Sequence, residues 1–177
     1  MKELFLIIWL FPILFMIHDF EEIIIIKTWQ LKNKKFIQNK LEKQVPFNFK
    51  AYTAAFSIGV AEEFIIISII TIISYLFDNY IAWFGLFIAF GIHLFFHVLM
   101  WIIFKRYVPG VVTSIVFIPI SCFMVYRINV LLYYDIVTLF FTIIISTLIM
   151  MINIYFLHKA MEKFDLWLGK YSSNSHL

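Results

Sequence analysis

Residues 4–26 read LFLIIWLFPILFMIHDFEEIIII, an apolar run that carries four ionisable side chains in its second half. A helix needs roughly 20 residues to cross the hydrocarbon core of a bilayer, so this run is long enough to span a membrane. The ionisable residues are His18, Asp19, Glu21 and Glu22. At membrane depth such side chains must be paired, metal-bound or water-facing. The run therefore predicts both a membrane span and a functional site.

The composition of the whole chain is that of an integral membrane protein. Of its 177 residues, 63% are hydrophobic and only 14% are charged, and the mean hydropathy is +0.94. Soluble domains carry about a quarter charged residues. The net charge of +3 gives no indication of nucleic-acid binding. The single Cys122 excludes a disulfide framework and a cysteine-based metal site, and we interpret it as a core residue.

Five apolar runs predict an all-α, multi-pass transmembrane helical bundle that forms one integral membrane domain, residues 1–170. The runs show no strict alternation of apolar and polar residues, so they indicate helices rather than barrel strands. The expected spans are about 4–26, 52–77, 80–104, 109–127 and 131–158. The first run is expected to be retained, and residues 171–177 are expected to form a disordered tail.

The lysines between the runs predict how the chain is oriented in the cell membrane. Residues 27–50 contain seven lysines and one glutamate, so the positive-inside rule places this basic loop in the cytoplasm. The N-terminus is then outside and the C-terminus is cytoplasmic. Arg127 is the one basic residue that this orientation places in an external connection between spans, and we expect Asp135 to offset its charge. The loop also fits an amphipathic helix that anionic membrane lipids attract, unless its lysines only set the topology.

Two later runs carry further ionisable residues, Glu62-Glu63 in the second and His93-x-x-x-His97 in the third. At about 1.5 Å of rise per residue, all of them lie in the same, cytoplasmic half of the membrane as the first cluster. Imidazole and carboxylate ligands suit a divalent metal, with zinc favoured over iron and manganese. The predicted metal ligands are His18, Glu22, Glu62, His93 and His97, and the predicted catalytic residues are Glu21 and Glu63.

The element His18-x-x-Glu21-Glu22 resembles the motif of the HXXEE-domain family. The later pairs Glu62-Glu63 and His93 with His97, and the stretch from Tyr107 to Thr113 (YVPGVVT), extend the resemblance over most of the chain. The resemblance implies a small bacterial integral membrane protein with a suspected metal site. It implies no particular reaction.

Three functions fit these residues. The first is a metal-dependent hydrolase acting on a lipid or other apolar substrate within the membrane, with a di-metal oxidase as its variant. The second is a transporter in which the same carboxylates and imidazoles pass protons or a divalent cation. The third is a membrane scaffold whose polar cluster locks the helices together. The sequence does not assign an oligomeric state.

Overall fold

A computed structural model describes the backbone of residues 2–40 and 53–173, and the side chains of these residues except 38–40. Within these ranges the chain forms six helices and no strand. The helices are α1 Lys2–Lys32, α2 Lys34–Lys40, α3 Thr53–Phe77, α4 Ile81–Phe104, α5 Val111–Leu132 and α6 Ile136–Ser173. All except α2 are long and apolar enough to cross a membrane. The predicted all-α bundle with five candidate spans is therefore confirmed, and it indicates an integral membrane protein.

Several helices continue beyond the apolar runs. Helix α1 extends to Lys32, and α6 extends to Ser173, so part of the predicted tail is helical. An apolar run marks the length that lipid can surround, whereas a helix ends where its backbone hydrogen bonds end. Trp29, which the sequence places in the basic loop 27–50, is buried within α1 and donates its indole N–H to the Tyr107 carbonyl at 2.6 Å. Residues 41–50 of the predicted basic loop and residues 174–177 of the predicted tail lie outside the described residues.

Cys122 is exposed on α5, so its interpretation as a core residue is wrong. A span in lipid is surrounded by hydrocarbon on its outer face and by apolar side chains on its inner face. Because the two environments are equally apolar, an apolar run does not reveal which of its residues face the protein interior.

Aromatic contacts fix the relative direction of α1 and α4. The Phe11 ring lies 5.6 Å from the Trp83 ring and 5.6 Å from the Phe90 ring. One turn further along α1, Phe15 also contacts Phe90, with ring centroids 6.1 Å apart. The next turn brings His18 to the same Phe90 ring and beyond it to the histidines of α4. The two helices therefore run parallel and bring their ionisable residues side by side.

Helices α1 and α5 are antiparallel. The Arg127 guanidinium, near the end of α5, donates to both carboxylate oxygens of Glu3 at 2.6 and 2.7 Å, near the start of α1. Arg127 is thus paired with Glu3, whereas Asp135, its expected partner, accepts hydrogen bonds from the first turn of α6. The side chain and backbone of Thr138 lower the pKa of Asp135. The antiparallel packing places the start of α5 against the second half of α1.

Gly85 allows α4 to approach α6 closely. A Cβ atom at this position would lie 2.9 Å from Thr142 Cγ2 and 3.0 Å from Ser146 Cβ. Carbon atoms attract optimally at about 3.5–4.0 Å, so we expect Gly85→Ala to lower the free energy of unfolding by about 1–3 kcal/mol, the usual cost of overpacking. Denaturation in detergent, followed by circular dichroism, measures this loss.

The matched control is Gly91→Ala on the same helix. Among the described residues outside its own helix, no atom lies within 4 Å of the position its Cβ would take. The control removes the same backbone freedom without adding a clash, so it should leave stability unchanged or slightly raised. Equal losses in both variants would contradict the assigned contact between α4 and α6.

Candidate metal centre

Four side chains bring possible metal-ligating atoms together between α1 and α4. One such atom from each of His18, Glu22, His93 and His97 lies within 4.8 Å of the others, and these four residues form the His/Glu cluster. The His97 Nε2 atom lies 2.9 Å from Glu22 Oε1 and 2.9 Å from His93 Nε2. The His18 Nε2 atom lies 4.0 Å from the same Glu22 oxygen. Four of the seven predicted site residues therefore meet at one point.

Helical spacing explains how the cluster forms. His18 and Glu22 are four residues apart on α1, and His93 and His97 are four apart on α4, so each pair projects from one helix face. The parallel packing of the two helices then turns these faces toward each other. His18, Glu22 and His97 are buried and His93 is half-buried. Charged side chains and imidazoles that are buried in this way require hydrogen-bond or ionic partners.

Thr113 sets the orientation of His18. The Thr113 hydroxyl oxygen lies 2.8 Å from His18 Nδ1 and 2.6 Å from Glu21 Oε2. An ionised carboxylate only accepts, so the single hydroxyl proton goes to Glu21 and the hydroxyl oxygen accepts from the N–H at Nδ1. The other nitrogen, Nε2, then carries the lone pair. It is buried and has no hydrogen-bond partner within the described part of the chain.

The Pro109 carbonyl sets the orientation of His97 in the same way. Its oxygen lies 2.7 Å from His97 Nδ1, and a carbonyl oxygen can only accept a hydrogen bond. The proton of the neutral ring is therefore on Nδ1. The lone pair on Nε2 then faces the Glu22 carboxylate at 2.9 Å, so two acceptors face each other across the cluster, while His93 Nε2 lies 2.9 Å from the same His97 nitrogen.

A bound cation fits this arrangement. Lone pairs of two oriented imidazoles and a carboxylate oxygen converge, and a positive ion between them would satisfy all three. Metal-binding histidines almost always donate their other N–H to a carbonyl, a carboxylate or a similar acceptor, as both rings do here. The donor set of three imidazoles and one carboxylate suits zinc and also iron or manganese.

Glu21 lies outside the cluster and fixes the start of α5. Its carboxylate accepts from the backbone N–H groups of Val112 and Thr113 at 3.2 and 2.8 Å, and from the Tyr107 hydroxyl at 2.6 Å. The first N–H groups of a helix lack partners inside the helix, and a negative charge near them is favourable. Burial and the hydrogen bond to Glu21 raise the pKa of Tyr107. Glu21 thus caps α5 from α1.

Gly110 closes the cluster on the side of α5. A Cβ atom there would lie 2.8 Å from Glu22 Oε1, 2.9 Å from His18 Cε1 and 2.9 Å from His97 Nδ1. Its φ of +81° also belongs to the region that favours glycine. The sequence placed Pro109 and Gly110 only at the start of the expected span 109–127 and did not predict the contacts of either residue with the site. The sole available signal was a Pro-Gly pair directly before a span.

The structure separates the adjacent residues Glu62 and Glu63. Glu62 is not part of the His/Glu cluster, and its Oε2 atom accepts from the Asn153 side chain at 3.2 Å. Glu63 lines a cavity of about 730 Å³, together with Glu22, His93 and His97 of the cluster. A step of one residue rotates a side chain by about 100° around a helix, so Glu63 lines the cavity and Glu62 is not among its described lining residues, although Asn153 lies beside both carboxylates.

Asp19 is a site residue to which sequence reasoning assigned no role. It is buried and lines the same cavity as Glu63, and its Oδ2 atom has no hydrogen-bond partner within the residues described. Its spacing of three residues from Glu22 places both on one face of α1 and was the available signal.

A family model described as a protein of unknown function with an HXXEE motif matches residues 9–124. The resemblance seen in the sequence is thereby confirmed. The matched region contains the whole His/Glu cluster, Glu21 and the start of α5, and it ends before α6. No curated protein and no solved structure matches the chain.

Proposed function

Because the chain belongs to the family of proteins of unknown function with an HXXEE motif, and two of its three motif residues lie in the His/Glu cluster, we propose that this family member is a metal-binding membrane protein. The convergence of three imidazole nitrogens and a Glu22 oxygen within 4.8 Å carries this proposal. Zinc is the favoured ion, with iron and manganese as the alternatives.

The reaction we propose is hydrolysis of a lipid or other apolar substrate. A divalent ion in the His/Glu cluster would supply water activated for attack at neutral pH. Glu63 lines the cavity beside the cluster and serves as the general base that takes a proton from that water. Glu21, the other carboxylate predicted to be catalytic, has both oxygens engaged with α5 and acts as a positioning residue for His18 through Thr113.

Basic residues support a cytoplasmic position for the cluster. Lys27 and Lys32 lie in the last part of α1, and Lys105 and Arg106 directly follow α4. Both groups are at the end of the bundle that carries the His/Glu cluster. The positive-inside rule then gives an external N-terminus and a cytoplasmic C-terminus in the cell membrane.

The test combines metal content with turnover. Purified protein in lipid vesicles is analysed for zinc, iron and manganese, and is then given ester- and amide-linked lipids before chelation, after chelation and after each metal is restored. We expect a stoichiometric metal and turnover that follows its removal and return. Absence of metal would overturn the metal site. A bound metal without turnover on any of these lipids would overturn the hydrolase assignment, and accompanying ion uptake would favour transport.

Thr113→Val tests the orientation of His18. Valine keeps the shape of threonine but cannot accept the proton on His18 Nδ1, so the ring loses the partner that turns Nε2 inward. Loss of such an outer-shell partner lowers metal affinity about 10–100-fold. Competition with a chromophoric chelator measures the affinity. Thr113→Ser retains the hydroxyl and should retain the affinity; a loss of equal size in both variants would contradict this role.

A further inference from the structure

The cavity beside the His/Glu cluster is long and has two chemically different parts. It lies between α1, α3, α4 and α6, and on α4 its lining extends from Leu86 to Met100, which is about 21 Å along the helix axis. The polar part contains Asp19, Glu63 and three residues of the cluster, Glu22, His93 and His97. The other part, which we name the apolar arm, is lined by Phe11, Phe15, Ile67, Leu86, Ala89 and Phe90.

The apolar arm leads away from the cluster along the bundle. Leu86 precedes His93 by seven residues, so the arm continues about 10 Å beyond the cluster. Its aromatic walls are fixed by contacts such as that between Phe11 and Phe90. The whole cavity, about 730 Å³, falls within the range of about 300–1,000 Å³ that holds one small ligand. This space suits one hydrocarbon chain with a small head rather than a two-chain lipid.

The cavity opens toward lipid. Three of its lining residues have exposed side chains, namely Phe96 on α4 at 55%, and Ile149 and Met151 on α6 at 56% and 61%. All three lie within candidate membrane spans. A ligand that passes these residues comes from the bilayer and keeps its chain in an apolar environment throughout.

The charge of the lining selects the head of that ligand. A chain that moves from lipid into an apolar arm gains little, because both environments are apolar. The polar head must therefore supply the preference for the site. Asp19, Glu22 and Glu63 line the polar part, and no lysine or arginine is among the described lining residues. A divalent ion in the cluster would offset two of these three negative charges, and the remaining one disfavours an anionic head relative to an uncharged head.

We propose that the substrate is an uncharged single-chain acyl ester, such as a monoacylglycerol, which enters from the bilayer between α4 and α6. The proposal rests on the hydrolase function given above. The chain lies in the apolar arm and the ester carbonyl lies at the cluster. The water oxygen bonds to the acyl carbon, the ester C–O bond breaks, and the proton taken by Glu63 passes to the leaving alcohol.

Photolabelling tests this assignment. The probe is a monoalkyl glycerol ether with a diazirine at the end of its chain, which is uncharged and cannot be hydrolysed. After irradiation of the full-length protein in vesicles, we expect label on the apolar arm, at Phe11 and Phe15 and between Leu86 and Phe90. The corresponding alkyl phosphate, an anionic probe, should label these positions about tenfold less, a difference of about 1.4 kcal/mol in binding.

Two neighbouring residues of α3 provide a matched pair of variants. Ile66 lines the cavity, whereas Ile65 is 56% exposed and is not among its described lining residues. Ile66→Trp should fill the cavity next to Ile67 of the apolar arm and reduce labelling about tenfold at subsaturating probe, and Ile65→Trp should leave it unchanged. Label confined to lipid-facing residues, or equal labelling of both variants, would overturn the proposal. Metal analysis of the same samples distinguishes failure of the proposed metal site from failure of the proposed substrate class. A protein that contains metal but shows no labelling of the apolar arm refutes the substrate class alone.

Discussion

Glu22→Gln is expected to lower metal affinity by more than about a hundredfold, the upper end of what loss of an outer-shell partner costs. The substitution keeps the size of the side chain but replaces the charged oxygen that lies 2.9 Å from His97 Nε2. A neutral amide is a poor ligand for a divalent transition metal, and the remaining imidazoles bring no negative charge to offset the ion. His97→Ala should have an effect of similar size, because it removes the atom closest to both Glu22 and His93. Elemental analysis and chelator competition on purified protein measure both losses.

Two further carboxylate variants test whether the loss of metal affinity is specific to Glu22. Glu162→Gln changes an exposed side chain of α6 in the same chemical way and should leave metal affinity unchanged. Glu62→Gln distinguishes between the sequence prediction, which made Glu62 a ligand, and the structure, in which it accepts from Asn153. We expect Glu62→Gln to retain the metal. If it loses the metal as Glu22→Gln does, Glu62 is a ligand and the site is larger than the His/Glu cluster.

The spans and much of the cluster could be predicted because they depend on local properties. Apolar length alone identifies a membrane span. A spacing of four residues places His18 with Glu22, and His93 with His97, on single helix faces. Placing ionisable side chains in lipid costs free energy, which indicates that these residues share one site. These inferences need no knowledge of how the helices pack.

The partners that orient the cluster could not be predicted, because they depend on packing between distant segments. The Pro109 carbonyl that fixes His97 is a backbone atom and carries no side-chain signal. The role of Glu21 as a cap depends on the contact of α1 with the start of α5, some ninety residues later. Lipid also removes the usual contrast between the inner and outer faces of a helix, so α3 gave no indication of which of Glu62 and Glu63 faces the cavity.

Glu63→Gln is expected to reduce hydrolytic turnover about a hundredfold to ten-thousandfold, the usual contribution of a general base. Glutamine fits the same space in the cavity lining but cannot take a proton from the attacking water. Because Glu63 is not one of the four residues of the His/Glu cluster, the variant should keep the proposed metal binding. The measurement is turnover of an uncharged acyl ester in vesicles together with metal content. We expect turnover to fall while metal content stays unchanged.

The adjacent variant Glu62→Gln is the matched control for this effect. It makes the same substitution one residue away, at a carboxylate that is not among the described residues lining the cavity. We expect it to retain turnover. If Glu63→Gln is fully active, the proton goes elsewhere, and Asp19 becomes the base to test, because it is buried in the same cavity with Oδ2 unpaired in the described part of the chain. If Glu63→Gln loses both metal and turnover, Glu63 acts in metal binding and the general-base role is refuted.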